Sequence, residues 1–128
     1  MLAALTCLLA GCGEKLPPYM ERRLPSGRMV KMQSYLPEHL FTGETALLLK
    51  YVPDAAIEDE AALDAEVASL WKEVMLDVQK RPGSKLVLIR AISQAPAGWA
   101  EGPQVQYVYR LQQDGSWTME KDPLVRLR

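Results

Sequence analysis

The chain has 128 residues, 48% hydrophobic and 24% charged, which are the proportions of an ordinary globular protein. A chain of this length supports one modest core, burying about 65% of the surface its unfolded form exposes. With Lys+Arg 15 against Asp+Glu 16 the net charge is −1, so no basic excess exists to neutralise phosphates and nucleic-acid binding has little electrostatic basis.

The first segment in the chain is Met1-Leu2-Ala3-Ala4-Leu5-Thr6-Cys7-Leu8-Leu9, an apolar run, followed by the small residues Ala10-Gly11 and then Cys12. Leu9-Ala10-Gly11-Cys12 resembles the lipobox of bacterial lipoprotein precursors, in which the cysteine becomes the first mature residue and carries diacylglycerol. The resemblance implies a signal peptide over 1–11, a lipidated N-terminus and flexible tether over 12–27, and a single small domain over 28–128. It also implies a cell-envelope address, with the protein held on the membrane by its N-terminal lipid. In that family's sorting rule an aspartate after the cysteine favours the inner membrane. Gly13 stands there, so the expected address is the outer membrane, facing the periplasm, in a two-membrane cell.

No Lys or Arg precedes Lys15, whereas a signal peptide ordinarily begins with a positive segment; the expectation is that basic residues lie upstream of Met1. The run is too short to span a bilayer, which takes about 20 consecutive apolar residues. Acyl chains anchor differently, each buried methylene contributing about 0.8 kcal/mol. The chain has 2 cysteines. With Cys7 leaving in the signal and Cys12 lipidated, no thiol remains for a disulfide, a redox pair or a cysteine-based zinc site.

Residues 13–27 have the composition of a spacer, because Pro17, Pro18 and Pro25 favour extended backbone and remove amide donors. The pair Arg22-Arg23 lies there, two charges that by themselves make no argument for headgroup binding. A first strand is expected over 28–36, where Val30, Met32, Ser34 and Leu36 alternate with Met29, Lys31, Gln33 and Tyr35, ending at Pro37. A loop with His39 and Phe41 follows. A second strand is expected over 44–52, with Ala46-Leu47-Leu48-Leu49 apolar on both faces, as in a central strand.

Residues 59–81 carry the pattern of one long helix. Leu63, Val67, Leu70, Trp71, Val74 and Val78 recur at steps of three and four and form one apolar stripe. Asp59 is placed to cap it, Glu60 suits the first turn, Lys80 and Arg81 the last, and Pro82-Gly83 stops it. Glu66, Glu73 and Asp77 mark a charged flank that reads as solvated.

A third strand is expected over 85–93, again apolar on both faces at Leu86-Val87-Leu88-Ile89. A loop over 94–103 carries Trp99, then a strand over 104–112 alternates with Val105, Tyr107, Tyr109 and Leu111 on one side. Asp114-Gly115 is a hairpin turn, and 116–120 returns with Trp117 and Met119 inward. Residues 123–128 are a tail or short edge strand.

The order β-β-α-β-β-β predicts an α+β fold, a mainly antiparallel sheet of four to five strands with the helix packed on one face. Two strands are apolar on both faces, however, and one helix covers one face. Either Ala46, Leu48, Val87 and Ile89, or Leu47, Leu49, Leu86 and Leu88, then need another cover. The candidates are Leu124-Val125-Leu127, the Phe41 loop, a second copy in a homodimer, or an envelope partner, and a protein contact is the expectation.

Candidates for chemistry are few. His39 is the single histidine, and Glu38 and Glu44 beside it do not make a ligand set, so no metal site is expected. Ser34 and His39 lack any nucleophile-elbow context. Paired carboxylates among Glu66, Glu73 and Asp77 would be needed for hydrolysis. No P-loop, EF-hand or GxGxxG spacing occurs, and no cofactor is implied. Trp99 serves either as a partner anchor or as a lid on the core, the latter being the commoner fate of a large apolar side chain. His39, Phe41 and Trp99 are the residues for a partner contact. The expected function is a non-catalytic binding or structural accessory module of the envelope. Two alternatives stand behind it: an inhibitor or immunity-type lipoprotein acting on an envelope enzyme, and a carboxylate hydrolase.

Overall fold

Apolar residues at period two build strands here and the one stretch at period 3.6 builds a helix, and the two lie back to back in an α+β fold. The computed structural model describes residues 19–33, 35–40, 42–81, 84–93 and 103–122. In order they form β1 (Met20–Arg23), β2 (Met29–Met32), β3 (Leu36–His39), β4 (Thr45–Val52), α1 (Glu60–Gln79), β5 (Leu86–Ile92), β6 (Gln104–Leu111) and β7 (Trp117–Asp122). All seven strands belong to one sheet, in the order β1-β2-β4-β5-β6-β7, with β3 also paired to β4. Every pairing is antiparallel except β4 with β5, which is parallel. A parallel pair needs a crossover, and α1 supplies it.

The strand count of four to five is too low, for two reasons. Residues 20–27 are not spacer: β1 pairs with β2 from Met20↔Met32 to Arg23↔Met29, and Leu24 in the turn is buried. The composition of a tether is also that of an exposed edge hairpin. Further on, the expected first strand is divided. From Met32↔Tyr51 to Leu36↔Leu48 the chain advances four positions while β4 advances three. That extra residue is a β-bulge count, and it switches which side chains face which side. Val30, Met32 and Tyr35 therefore contact the core under the helix, while Leu36 joins the cluster on the other face. Pro37 does not end a strand; it sits inside β3, opposite Leu47. β3 pairs with β4 alone, so its outer side makes no ladder bonds and tolerates a residue without an amide donor.

The helix is as patterned. Leu63, Val67, Leu70, Trp71, Val74 and Val78 are its buried residues, and Asp59 caps it by accepting from the Ala62 amide. Each such large side chain contributes about 1.5–3 kcal/mol by leaving water. Helical structure ends at Gln79 with Lys80 as the C-cap, so Lys80 and Arg81 lie beyond the last turn.

Two buried clusters result. Under the helix, Leu49, Tyr51, Val87, Ile89, Ala91, Tyr107 and Tyr109 meet the apolar stripe of α1. On the far face Ala46, Leu48, Leu86 and Leu88 are only 2–3% exposed, packed with Leu36, Leu40 and Val108. Trp117 packs inward, at 5.1 Å from Trp71, but Met119 is 48% exposed because β7 is an edge. The Asp114-Gly115 turn forms as expected: Gly115 sits at φ +89, the left-handed region open to glycine.

Candidate functional site

The acidic flank of α1 is the first place to look for chemistry, and its carboxylates turn out to be ties. Glu66 Oε2 accepts from the Tyr51 hydroxyl at 2.9 Å and from the Asp54 amide at 3.2 Å, and Oε1 accepts from the Ala55 amide at 2.9 Å. Arg28 Nη2 lies 3.9 Å from the same carboxylate. Burial, then the Glu66 charge, raises the Tyr51 hydroxyl far above its ordinary range, so it stays a donor. Glu73 accepts from the Ser26 amide at 2.8 Å, pinning the β1–β2 turn. Asp77 pairs with Arg81 at 3.9 Å, whose guanidinium lies 4.6 Å from the centre of the Tyr35 ring.

Nearer the start of α1, Tyr107 donates to Asp64 at 2.5 Å. Lys121 on β7 reaches Asp64 at 2.9 Å and 3.1 Å, and Glu60 at 2.9 Å. Desolvation works to raise the Asp64 carboxyl, but the hydrogen bonds from Tyr107 and Lys121 and the ammonium charge outweigh it and hold it low. Hydrogen bonds to Asp64 and Glu60 raise the Lys121 ammonium in turn. The flank read as solvated is therefore a row of clamps, each holding a different strand or loop to the helix. Nothing in helical periodicity distinguishes the two, because the partners come from distant sequence.

The sequence candidates scatter. His39 is exposed at the end of β3, its Nδ1 3.3 Å from Thr45 Oγ1. Its acidic neighbours turn elsewhere: Glu38 to Arg90 at 3.9 Å and Glu44 to Arg110 at 2.8 Å. Among the described residues no three His, Cys, Asp or Glu side chains assemble as a metal ligand set. Cys12, Phe41 and Trp99 lie outside the described residues, as does Ser34.

Sequence reasoning missed a polar row on the face away from the helix. Lys50, Arg90, Gln106 and Asp122 occupy one register line across β4, β5, β6 and β7. Arg90 donates to Gln106 Oε1 through Nε at 3.0 Å and Nη2 at 2.6 Å, and Gln106 Nε2 donates to Asp122 at 3.4 Å. Gln106 is buried and the Arg90 side chain is 12% exposed. An arginine within the apolar run Leu86-Val87-Leu88-Ile89-Arg90-Ala91-Ile92 was the available signal, since a charge in a central strand is retained only with partners.

A groove of about 310 Å³ separates the β1–β2 hairpin from the C-terminal half of α1, lined by Arg22, Arg23, Leu24, Tyr35, Leu76 and Lys80 among others. It gathers Arg22, Arg23 and Lys80 beside the exposed Leu76, with Glu73 and Asp77 also in the lining. Comparison with protein-family models, with curated proteins and with solved structures gave no match for this chain.

Proposed function

We propose that this protein is a cell-envelope lipoprotein, anchored through Cys12 in the outer membrane of a two-membrane cell, whose folded domain is a non-catalytic binding or structural accessory module. The observation that carries the anchoring is the order of apolar run, small residues and thiol ending in Leu9-Ala10-Gly11-Cys12. The non-catalytic reading draws support from the helix: of the acids a hydrolase would have used, Glu66 and Glu73 are tied to a strand or turn and Asp77 is paired with Arg81. Among the described residues no helix is long and apolar enough to cross a membrane, and a lipid anchor requires none.

Metabolic labelling with a palmitate analogue, comparing wild type with Cys12→Ala in a bacterial host, tests the reading. Label that follows the membrane fraction and disappears in the variant is the expected result. Unlabelled protein in the soluble fraction would sink it and return Cys7 and Cys12 to consideration as working thiols. With the anchor established, cross-linking in whole cells identifies the bound partner.

A further inference from the structure

We propose that the groove between the β1–β2 hairpin and the end of α1 docks on an anionic phospholipid surface, as a second membrane contact beside the lipid. The proposal rests on the anchoring reading above and deepens it by assigning the face that meets the bilayer.

Three observations converge on this surface. Arg22, Arg23 and Lys80 line one groove although β1 and the helix end are far apart in sequence. Among the described residues Arg23 and Lys80 have no ion-pair partner, and the Arg22 guanidinium lies against Met32 Sδ at 4.0 Å. Glu73 and Asp77 line the same groove; Glu73 keeps its charge while accepting from the Ser26 amide and Asp77 is paired with Arg81, so the lining carries three cations against two acids. Second, Met20 at 60% and Leu76 at 57% are the two most exposed large apolar side chains among the described residues. Leu76 lines the groove and Met20 stands two residues from Arg22, on the same side of β1. Exposed apolar side chains ringed by cations suit a headgroup layer, where the former enter the acyl boundary and the latter meet phosphates.

The third observation is reach. Tyr19 follows Cys12 by seven residues, which span at most about 25 Å even fully extended. A hairpin starting at Met20 therefore stays close to the bilayer that holds the lipid. Tethering makes docking an intramolecular event at high effective concentration, so a small cationic excess suffices to orient the domain. The excess of one positive charge shifts the ratio of docked to undocked molecules about fivefold.

The test is hydroxyl-radical footprinting of the full chain, purified with its lipid and reconstituted in nanodiscs. One set contains phosphatidylcholine alone, the other phosphatidylcholine and phosphatidylglycerol in equal parts. Oxidation of Met20 and Leu76 is expected to fall several-fold in the anionic discs relative to the neutral ones, while Met119, on the opposite edge of the sheet, reacts alike in both. The triple variant Arg22→Gln, Arg23→Gln, Lys80→Gln is expected to abolish the difference, with Tyr51, buried away from the groove, remaining unreactive as the sign of an intact fold. Leu76→Glu is expected to abolish it independently. Equal oxidation of Met20 in both lipids, or protection that survives the triple variant, overturns the proposal. The mass of the N-terminal peptide from the same preparation shows whether Cys12 carries lipid. If it does not, the anchoring reading fails, and protection by added vesicles of the same two compositions still decides for or against the surface.

Discussion

Tyr51, with no exposed surface, donates its hydroxyl hydrogen to Glu66 across the helix–sheet interface at 2.9 Å. The same carboxylate receives the Asp54 and Ala55 amides. One side chain on α1 thereby satisfies a core phenol and the first amides of the loop leaving β4.

Removing that carboxylate leaves a buried donor without an acceptor. Glu66→Ala is expected to cost about 2–3 kcal/mol, whereas Tyr51→Phe, which removes the donor and keeps the shape, costs about 1 kcal/mol. The double variant should be less destabilised than the two singles added together, because they share one interaction. Urea unfolding of all four proteins checks this, and additive losses would refute the coupling.

Buried phenols set the alkaline limit. Burial raises Tyr35 and Tyr109 to about 12, and raises Tyr51 and Tyr107 beyond the ordinary range. In the unfolded chain each loses its proton near pH 10. Their contribution is thus fully present below about pH 10 and is lost as pH rises toward the folded values, by about 1.4 kcal/mol per pH unit for each proton released. Circular dichroism and tyrosinate absorbance should report one coincident transition above pH 10. Phenols that ionise one by one at ordinary pH with the fold intact would contradict it.

On the acid side the sign reverses. The carboxyl of Asp64 is held low, so its contribution is present above about pH 4, the unfolded value, and is lost as pH falls through the folded one. Asp64→Asn is expected to flatten the acid limb of the stability curve while leaving the limb near pH 7 to 9 parallel to wild type; an unchanged acid limb would dismiss Asp64 as its source.

Trp71 stacks on Tyr109 with centroids 4.1 Å apart and meets Trp117 edge-on. Trp71→Ala is expected to cost about 3–5 kcal/mol and to abolish most of the near-ultraviolet dichroism. A variant with a small loss and an unaltered aromatic spectrum would show the stack to be incidental.

The far face makes its own prediction. Leu88 is 2% exposed, so Leu88→Ala should cost about 2–4 kcal/mol, as much as a comparable truncation under the helix at Leu70. Thermal unfolding of both variants compares the two faces directly. A neutral Leu88→Ala would mean that this cluster is not a core.

Much of the architecture was open to reading because it depends on local periodicity. The stripe Leu63, Val67, Leu70, Trp71, Val74 and Val78 is determined by helical spacing alone, as is the Asp59 cap, and both are present. The same holds for the Asp114-Gly115 turn, whose demand for a positive φ is local. The doubly apolar strands β4 and β5 are central, as their composition required. The candidate partner residues were less accessible: His39 proved an exposed strand end, while Phe41 and Trp99 lie outside the described residues.

What the sequence alone determined was therefore the α+β class, the helix and its buried face, and the lipobox-like order at Leu9-Ala10-Gly11-Cys12. Only the tertiary structure decided which side chains share a face of the sheet. Reading β4 against β5 in isolation grouped Ala46 and Leu48 with Val87 and Ile89, but the parallel register sets Leu48 beside Leu88 and Leu49 beside Ile89. Since side chains alternate with a period of two, a shift of one residue in register exchanges the faces completely, and no local pattern encodes that shift. The bulge between Met32 and Leu36 acts in the same way. The clamps at Glu66, Asp64 and Glu73 follow from the same cause, because a carboxylate on a helix surface looks solvated until the fold brings Tyr51, Tyr107 and the Ser26 amide to it.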